Sequence, residues 1–290
     1  MNNSNKPKLD HVNDKEKKQT IKSNSRAQKA NEKNFSLIHL NCNSLTNKID
    51  EFKQFCSNYK PHIISLNETK VCESKAAYLI QIDNYTTIHK ARSSDKNGGG
   101  GVALLIRNDV KFCQNAIFND INLEICAINV EVNNLEVIVL SYYNPPHCSL
   151  SKEVFDILKE TKKNYIVLGD LNAKSTCWEA ITNNVNGEIL NDIILENDCL
   201  VVNNKEFTHF GFNQNTRSIL DYGIISSKLY DFFDSFTVLS DEDMTSDHVP
   251  ILLEFNSSYL RKSEMFNNQS NKIYNFHKAN WNEFKIYLMK

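Results

Sequence analysis

A short apolar run that ends in polar residues constrains this chain more than any other stretch. Tyr165 to Leu168 is uninterrupted apolar sequence, followed at once by Gly169 and Asp170 and, two residues further on, by Asn172. A run of this length with β-branched residues predicts a strand that is buried on both faces of a sheet. Polar side chains at the carboxyl end of such a strand face an open crevice. Asp170 and Asn172 are expected to share a side if the strand geometry persists, because side chains alternate along a strand.

The same residues allow a second interpretation. Gly, Asp and Asn dominate turns, so Gly169 to Asn172 would form nothing more than a turn after the strand. In either interpretation, Gly169 is expected to let the backbone turn without a side-chain clash. The remainder of the sequence has to decide between a site and a turn.

Composition bounds the class of protein. A chain of 290 residues with 41% apolar content can form one large core or two small ones. It has no apolar run of about 18 residues, and its polar start lacks an apolar signal segment, so we expect neither a membrane span nor a secretory signal. The eight cysteines are scattered without a C-x-x-C pair, which argues against a zinc ribbon or a redox motif. A reducing compartment, the nucleus or the cytoplasm, is therefore expected.

Charge is divided unevenly along the chain. Residues 1–33 carry nine Lys or Arg against four Asp or Glu, and residues 256–290 carry six against two, whereas residues 34–255 carry 18 against 29. Residues 1–33 have almost no large apolar side chains, so we interpret them as a disordered basic leader, either a nucleic-acid tether or a solvated tail. The acidic central part argues against broad non-specific nucleic-acid binding and fits a site that approaches phosphate through a divalent cation.

Polar side chains recur at the ends of other predicted strands. Apolar runs predict strands at 35–40, 62–66, 102–106, 123–130, 135–142, 200–203, 207–210, 218–225, 236–239 and 251–255. Helical spacing predicts helices from a cap at Ser44 or Thr46 to about Lys60, at 151–163 and at 187–198, and the glycines at 98–101 suit a hairpin or close backbone approach. Many strands and few helices suggest two packed sheets with helices outside. The polar residues at strand ends are Asn41, Glu68, Tyr143, Asp170, Asn172, Asp221, Asp247 and His248.

Taken singly, each of these residues has a plain structural explanation: Asn41 as a cap, Glu68 as a surface acid, Tyr143 as a core-edge aromatic. Taken in order, the set resembles the endonuclease/exonuclease/phosphatase superfamily. The resemblance covers residues 34–256 and implies an α/β fold, the four-layered α/β sandwich with two packed mixed β-sheets flanked by helices. The motifs that carry it are Leu40-Asn41-Cys42-Asn43, Leu66-Asn67-Glu68-Thr69, Tyr143-Asn144-Pro145, Gly169-Asp170-Leu171-Asn172, Ser218-Ile219-Leu220-Asp221 and Ser246-Asp247-His248.

Further blocks resemble the endonuclease domain of non-LTR retrotransposons of the jockey and R1-like kind. They lie at 99–103, 170–174, 186–190, 202–203 and 207–209, and the block Lys278–Phe284 resembles the start of the linker toward a reverse transcriptase. Residues 257–290 are accordingly interpreted as that linker, with the polymerase itself absent from this chain. One departure concerns Asn43, which stands where repair-type apurinic endonucleases carry Asp and which would weaken metal binding there.

The resemblance also implies roles. Glu68 is expected to be the main Mg²⁺ ligand, with Mn²⁺ as a possible substitute and with Asn43 and Asp247 as auxiliaries. Asp170 would orient and deprotonate the attacking water, with Asn172 holding the phosphate or that water. His248, held by Asp221, would contact a phosphate oxygen or act as the base. Asn41 and Tyr143 would donate hydrogen bonds to the phosphate.

The expected activity is nicking of double-stranded DNA to leave a 3′-hydroxyl primer for reverse transcription of an element RNA. Two alternatives stay open: an apurinic/apyrimidinic repair endonuclease, and an inactive DNA-binding remnant of a retroelement. The target sequence and the oligomeric state are not predicted by any pattern in the chain.

Overall fold

The computed structural model describes residues 34–92, 99–178, 180–211 and 216–256. The predicted basic leader at 1–33 and the predicted linker at 257–290 lie outside the described residues. Within the described ranges, no helix combines the length and the apolar character needed to cross a membrane.

Fourteen strands and four α-helices follow one another in the described part of the chain. The strands are β1 (Asn34–Asn41), β2 (Ile63–Asn67), β3 (Tyr85–Lys90), β4 (Val102–Arg107), β5 (Phe112–Gln114), β6 (Glu124–Val132), β7 (Leu135–Tyr143), β8 (Asn164–Asp170), β9 (Cys199–Val202), β10 (His209–Phe210), β11 (Arg217–Ser218), β12 (Asp221–Ser226), β13 (Phe233–Val238) and β14 (Ile251–Asn256). The helices are α1 (Ile49–Tyr59), α2 (Glu73–Leu79), α3 (Lys152–Thr161) and α4 (Val185–Glu196).

The strands form two six-stranded mixed sheets and a small hairpin. The first sheet has the order β13-β14-β1-β2-β4-β3, the second has the order β5-β6-β7-β8-β12-β9, and β10 pairs with β11. In the first sheet β1 runs parallel to β2, with α1 as the crossover; in the second β7 runs parallel to β8, with α3 as the crossover. Parallel neighbours joined by a helix end at the same edge of a sheet, so this topology brings several strand ends to one edge.

Three apolar clusters divide the molecule into four layers. One lies between the two sheets and contains Leu37, Leu168 and Leu253. A second packs α3 and α4 against the outer face of the second sheet, and a third packs α1 against the outer face of the first. Both faces of the central strands are therefore buried, which explains why their sequences are continuous apolar runs. The four-layered α/β sandwich expected from the sequence is confirmed.

Local predictions were wrong at several places. The helix α1 begins at Ile49 after Lys48, which makes no side-chain cap bond, so neither Ser44 nor Thr46 caps it. The predicted strand at 218–225 is two strands, β11 and β12, separated by two buried residues, Ile219 and Leu220. The strand β3 and the short helix α2 were not predicted.

Candidate active site

The polar residues of the site continue the same strand faces that form the core between the two sheets. On β1, Phe35 and Leu37 belong to the inter-sheet core, and the two residues that follow at the same two-residue spacing are His39 and Asn41. Side chains that alternate along a strand keep one face, so the polar residues at each strand end continue the inner face of the sheet. The same spacing leads from Ile63 to Ser65 and Asn67, from Val139 to Ser141 and Tyr143, from Leu168 to Asp170, and back from Ile225 to Asp221.

Gly169 is needed for close packing and does not form a turn. It lies inside β8, which continues to Asp170, and its φ is not in the left-handed region. A Cβ at this position would lie 1.8 Å from the backbone oxygen of Tyr142 on the neighbouring strand. The interpretation of Gly169 as a turn residue was wrong; its missing side chain lets β7 and β8 approach each other beside the site.

Asn172 does not share the face of Asp170 through strand geometry. The strand ends at Asp170, and Asn172 has a left-handed φ of 48°. Its side-chain amide donates to the backbone oxygen of Asn144, and its backbone N–H donates to Oδ1 of Asp170 at 3.1 Å. Asn172 therefore orients the carboxylate of Asp170 through its backbone, and the predicted strand alternation was wrong because the chain turns one residue after the strand.

The opening between Glu68 and Asp170 is called the mouth of the site, and Asn41 connects these two carboxylates across it. Its Nδ2 lies 3.1 Å from Oε1 of Glu68 and 2.9 Å from Oδ2 of Asp170. The hydroxyl of Tyr143 donates to the same Oε1 of Glu68 at 2.7 Å. Although burial raises it, the pKa of Glu68 is held below its usual value by hydrogen bonds from Asn41 and Tyr143 and by the charge of Lys70. Glu68 is thus kept as an anion with its second oxygen directed to the mouth.

In the structure, the second oxygen of Glu68 already contacts the ammonium group of Lys70. The Nζ of Lys70 lies 3.2 Å from Oε2 of Glu68 and also donates to Oδ1 of Asn43. The amide nitrogen of Asn43 donates in turn to Oδ1 of Asp247 at 3.1 Å. The three predicted metal ligands, Glu68, Asn43 and Asp247, are therefore neighbours, and an ammonium group stands among them.

The donor set fits a hard divalent cation. The carboxylate and amide oxygens of Glu68, Asn43 and Asp247 are the ligand types that Mg²⁺ prefers, and few protein ligands suffice because Mg²⁺ keeps several waters. The pKa of Asp247 is lowered by the imidazole of His209, whose Nε2 lies 3.7 Å from Oδ2, and by the charge of His248, so Asp247 stays ionised. Glu68, Asn43 and Asp247 would hold Mg²⁺, and the ammonium of Lys70 contacts two of these three residues.

A second cluster lies on the other side of Asn41. The Nδ1 of His248 is 2.7 Å from Oδ2 of Asp221, and its Nε2 is 3.7 Å from Oδ2 of Asp170. Burial alone would lower the pKa of His248, but the charges of Asp221 and Asp170 raise it to about 10. The pKa of Asp221 is lowered by His248 despite its burial, whereas burial raises the pKa of Asp170 to about 7 with a contribution from Asp221. The two carboxylates beside one imidazole therefore differ in their affinity for a proton.

Among the described residues, two groups of side chains have metal-ligand geometry, Asp170 with Asp221 and His248, and His209 with Asp247 and His248. His209 was not predicted to belong to the site. Its Nε2 lies 3.7 Å from Oδ2 of Asp247, and its ring meets that of His248 edge-on at 4.7 Å between centroids. Both groups share His248, whose Nδ1 is already bound to Asp221.

Other residues of the site were also missed. His39, Ser65, Asn67 and Ser141 are fully buried polar residues on the inner face, and Asn67 accepts the backbone N–H of Asp170 at 2.9 Å. The signal that could have found them is a polar residue at every second position of an otherwise apolar strand, as at 39 and 41 or at 65 and 67.

Four of the twelve described non-glycine residues with left-handed φ lie at the mouth. Asn43, Glu68, Lys70 and Asn172 have φ values of 42°, 51°, 52° and 48°. Asparagine adopts this region more readily than other non-glycine residues, whereas at Glu68 and Lys70 the conformation is held by the surrounding structure.

Comparison with known proteins gives a consistent result. A family model described as "Endonuclease-reverse transcriptase" matches residues 137–252. The chain is 22% identical over 220 residues to the RNA-directed DNA polymerase from mobile element jockey of Drosophila funebris, and 25% identical over 252 residues to that of Drosophila melanogaster. These matches cover 75% and 86% of this chain but only 23% and 26% of the relatives, so the chain spans about a quarter of the length of these curated relatives.

Solved structures share the fold. The endonuclease domain of TRAS1, a telomere-specific non-LTR retrotransposon, matches with a TM-score of 0.62 and 19% identity over 77% of this chain and 98% of that domain. The AP endonuclease LMAP from Leishmania major matches with a TM-score of 0.65 and 14% identity over 78% of this chain and 88% of that enzyme.

The chain therefore shares the four-layered fold of these two solved structures. The family model and the jockey relatives confirm the resemblance to the endonuclease domain of non-LTR retrotransposons.

Proposed function

We propose that this chain is a Mg²⁺-dependent endonuclease that nicks one strand of double-stranded DNA and leaves a 3′-hydroxyl. The observation that carries the proposal is the bridge made by Asn41, whose amide nitrogen contacts both Glu68 and Asp170. This bridge joins the cation-binding half of the mouth to the half that contains His248 and Asp221. Hydrolysis of a phosphodiester needs both a bound cation and groups that move protons, and here they meet at one opening.

Asp170 is positioned to orient the attacking water and to take its proton. Its carboxylate is held by the Asn41 amide and by the backbone N–H of Asn172, so its orientation is fixed before substrate binds. Its pKa, raised by burial to about 7, suits a group that must accept a proton near neutral pH.

His248 supplies positive charge at the same point. Asp221 fixes Nδ1 of the imidazole as the protonated nitrogen, so Nε2 is directed toward the space beside Asp170. The raised pKa keeps both nitrogens protonated at neutral pH, and Nε2–H would donate to a phosphate oxygen as negative charge develops there. Asp221 remains ionised and holds the imidazolium of His248 without taking its proton.

Tyr143 and Asn41 complete the donor set. The pKa of Tyr143 is raised by burial and by Glu68, so its hydroxyl remains a donor. Mg²⁺ bound at Glu68, Asn43 and Asp247 would supply charge neutralisation on the phosphate and on the leaving oxygen. Tyr143 and Asn41 both donate at the opening between Glu68 and Asp170, where they would also reach a phosphate oxygen of the substrate.

The test is conversion of supercoiled plasmid to the open circle in Mg²⁺. We expect the wild-type chain to nick, Asp170→Ala and His248→Ala to lose nicking, and Asp109→Ala, which removes an exposed partner of Arg107, to nick at the wild-type rate. Extension of the nicked strand by a DNA polymerase would show the 3′-hydroxyl. Nicking that survives both active-site changes would contradict the assignment.

Two comparisons separate the alternatives. An apurinic repair endonuclease would cut an abasic oligonucleotide far faster than intact duplex, whereas we expect intact duplex to be cut at a comparable rate. An inactive remnant would bind duplex without cutting it. The further proposal, that a polymerase carried elsewhere uses the 3′-hydroxyl to copy an element RNA, follows from the resemblance to the jockey relatives. The proposed compartment is the nucleus or the cytoplasm, from the scattered cysteines.

A further inference from the structure

The carboxylate of Asp221 is shared by two histidines. Oδ2 lies 2.7 Å from Nδ1 of His248, and Oδ1 lies 3.1 Å from Nε2 of His39. An ionised carboxylate only accepts hydrogen bonds, so the nitrogen that faces each oxygen must carry a proton. His39 and Asp221 are buried to 0% and 1% exposure, so the imidazole of His39 is the group that satisfies Oδ1.

The other nitrogen of His39 is anchored by buried hydroxyls. Its Nδ1 lies 3.0 Å from Oγ of Ser65, and the Ser65 hydroxyl lies 2.8 Å from Oγ of Ser141. Asn67 donates to the same Ser141 oxygen at 3.1 Å, and the Oδ1 of Asn67 accepts the backbone N–H of Asp170. A continuous chain of hydrogen bonds therefore runs from the carboxylate of Asp221 to the backbone N–H of Asp170 through the interface between the sheets.

Packing alone does not explain why polar side chains occupy this part of the space between the sheets. Burying imidazole, hydroxyl and amide groups is unfavourable unless every one is satisfied, and an apolar side chain on β1 would fill the same inter-sheet space. The apolar residues Phe35 and Leu37 do so four and two residues earlier on the same face. The polar residues begin only where the face reaches Asp221.

We infer that His39 is a positioning residue of the proposed nuclease, whose Nε2–H fixes one oxygen of Asp221 so that the other meets His248. The inference rests on the proposed function, and it adds a residue that reaches the chemistry only through Asp221.

The groups around Asp221 explain why such a residue is needed. The backbone N–H of Asp221 donates to Oγ1 of Thr208, and Asp170 lies directly opposite on β8 in the strand register. Two carboxylates so close repel each other, and His248 is attracted to both. With His39 bonded to Oδ1, the carboxylate of Asp221 is held against rotation, so Oδ2 stays on Nδ1 of His248 and the imidazole keeps its place between the two acids.

Two substitutions separate the donor that faces Asp221 from the contact with Ser65. A glutamine at position 39 places its amide nitrogen near the position of Nε2, so His39→Gln keeps a donor for Asp221. An asparagine reaches only as far as Nδ1, so His39→Asn keeps a contact with Ser65 and loses Asp221.

His62 provides a matched control. Its Nδ1 lies 3.1 Å from Oγ of Ser36, so it makes a similar His–Ser contact between β1 and the residue that precedes β2, at the opposite end from the site. His62→Asn is expected to leave both the nicking kinetics and the His248 signals unchanged.

The first readout is single-turnover and steady-state nicking. We expect His39→Asn to lower kcat about 10- to 100-fold with KM for DNA changed less than about twofold, because misplacement of a catalytic group by about 1 Å costs on this order. We expect His39→Gln to recover most of kcat. Equal kcat in both variants, whether as high as wild type or equally low, would overturn the inference.

The second readout needs no activity. In ¹⁵N NMR of the full chain, His39 Nε2 should carry a proton in the wild type, and the downfield Nδ1–H signal of His248 should persist in His39→Gln and shift or broaden in His39→Asn. An unprotonated Nε2 in the wild-type chain would overturn the inference even if both variants failed to fold. A chain that does not nick but shows the expected signals would instead contradict the proposed function.

Discussion

The opposed proton affinities of Asp170 and His248 predict the pH dependence of the reaction. The proposed mechanism needs Asp170 ionised and His248 protonated. Burial raises the pKa of Asp170 to about 7, so nicking should rise with pH through that value. His248, whose pKa is raised against burial by Asp221 and Asp170 to about 10, should lose its proton and the rate should fall there. The profile of kcat against pH is therefore expected to be a bell with an alkaline optimum.

Asp221→Asn tests the cause of that profile. The charge of Asp221 raises the pKa of both His248 and Asp170, so its removal lowers both. Both limbs of the bell should move to lower pH, together with a fall in kcat, in the same plasmid assay. If neither limb of the pH profile moves, groups other than Asp170 and His248 control the rate.

Lys70 predicts competition with the metal. Its ammonium lies 3.2 Å from Glu68, and the two side chains are 34% and 21% exposed. Lys70→Met should therefore tighten binding of Mn²⁺, measured directly by electron paramagnetic resonance, by up to about fivefold, because a partly exposed pair contributes on the order of 0.2–1 kcal/mol.

Lys48→Met is the control for this effect, because Lys48 bonds to the backbone oxygens of Cys42 and Asn43 in the same loop and not to a carboxylate. It should leave Mn²⁺ affinity unchanged. Equal affinity in wild type and Lys70→Met would show that Lys70 does not compete with the metal.

The sequence indicated the residues at strand ends and missed those inside strands. Asp170, Asp221 and His248 were found because each stands next to an apolar run, and the structure brings them together. His39 lies within a predicted strand, where a histidine reads as part of the core. The contact of Lys70 with Glu68 depends on left-handed φ values at both residues, and no residue type in that segment signals them.

Among the structural elements, the contact between β7 and β8 is the one most sensitive to a small change. A Cβ at Gly169 would lie 1.8 Å from the Tyr142 backbone oxygen, which cannot move unless the strand moves. Gly169→Ala should cost about 1–3 kcal/mol or more of unfolding free energy, measured by urea denaturation, and should displace Asp170 and reduce nicking.

Gly223→Ala is the matched change on the next strand. Its Cβ would meet the side-chain tips of Leu253 at 2.5 Å and Val202 at 2.8 Å, which can rotate away. A smaller loss of stability than for Gly169→Ala is expected. The reverse order would mean that β7 can shift at little cost.

Elements with continuous apolar sequence were predicted well, and half-buried ones were not. The strands β1, β2, β7, β8 and β14 are buried along most of their length and were found close to their observed ends. The edge strand β3 is only partly buried, so its sequence shows no apolar run. The break between β11 and β12 leaves Ile219 and Leu220 buried, so it leaves no mark on the apolar pattern.

For the molecule as a whole, the charge of the sandwich works against its proposed substrate. Residues 34–255 carry 18 Lys or Arg against 29 Asp or Glu, and the mouth itself contains Glu68, Asp170, Asp221 and Asp247. DNA would therefore be repelled at long range by the part of the chain that cuts it. The two flanking segments have the opposite charge, so we expect them to supply the long-range attraction.

Neutralising part of the basic segment at 1–33 tests whether this segment supplies the long-range attraction to DNA. In the full chain, Lys15→Gln, Lys17→Gln and Lys18→Gln together should weaken duplex binding at low salt and reduce the slope of log affinity against log salt by up to about 2.7, since each phosphate contact contributes about 0.9. The rate at saturating DNA should not change. Lys152→Gln with Lys163→Gln is the control, because both lysines already pair with carboxylates of the sandwich. An unchanged slope in the triple variant would show that these three lysines do not contact the phosphates, so that the attraction comes from the segment at 256–290 or from a local field of the sandwich.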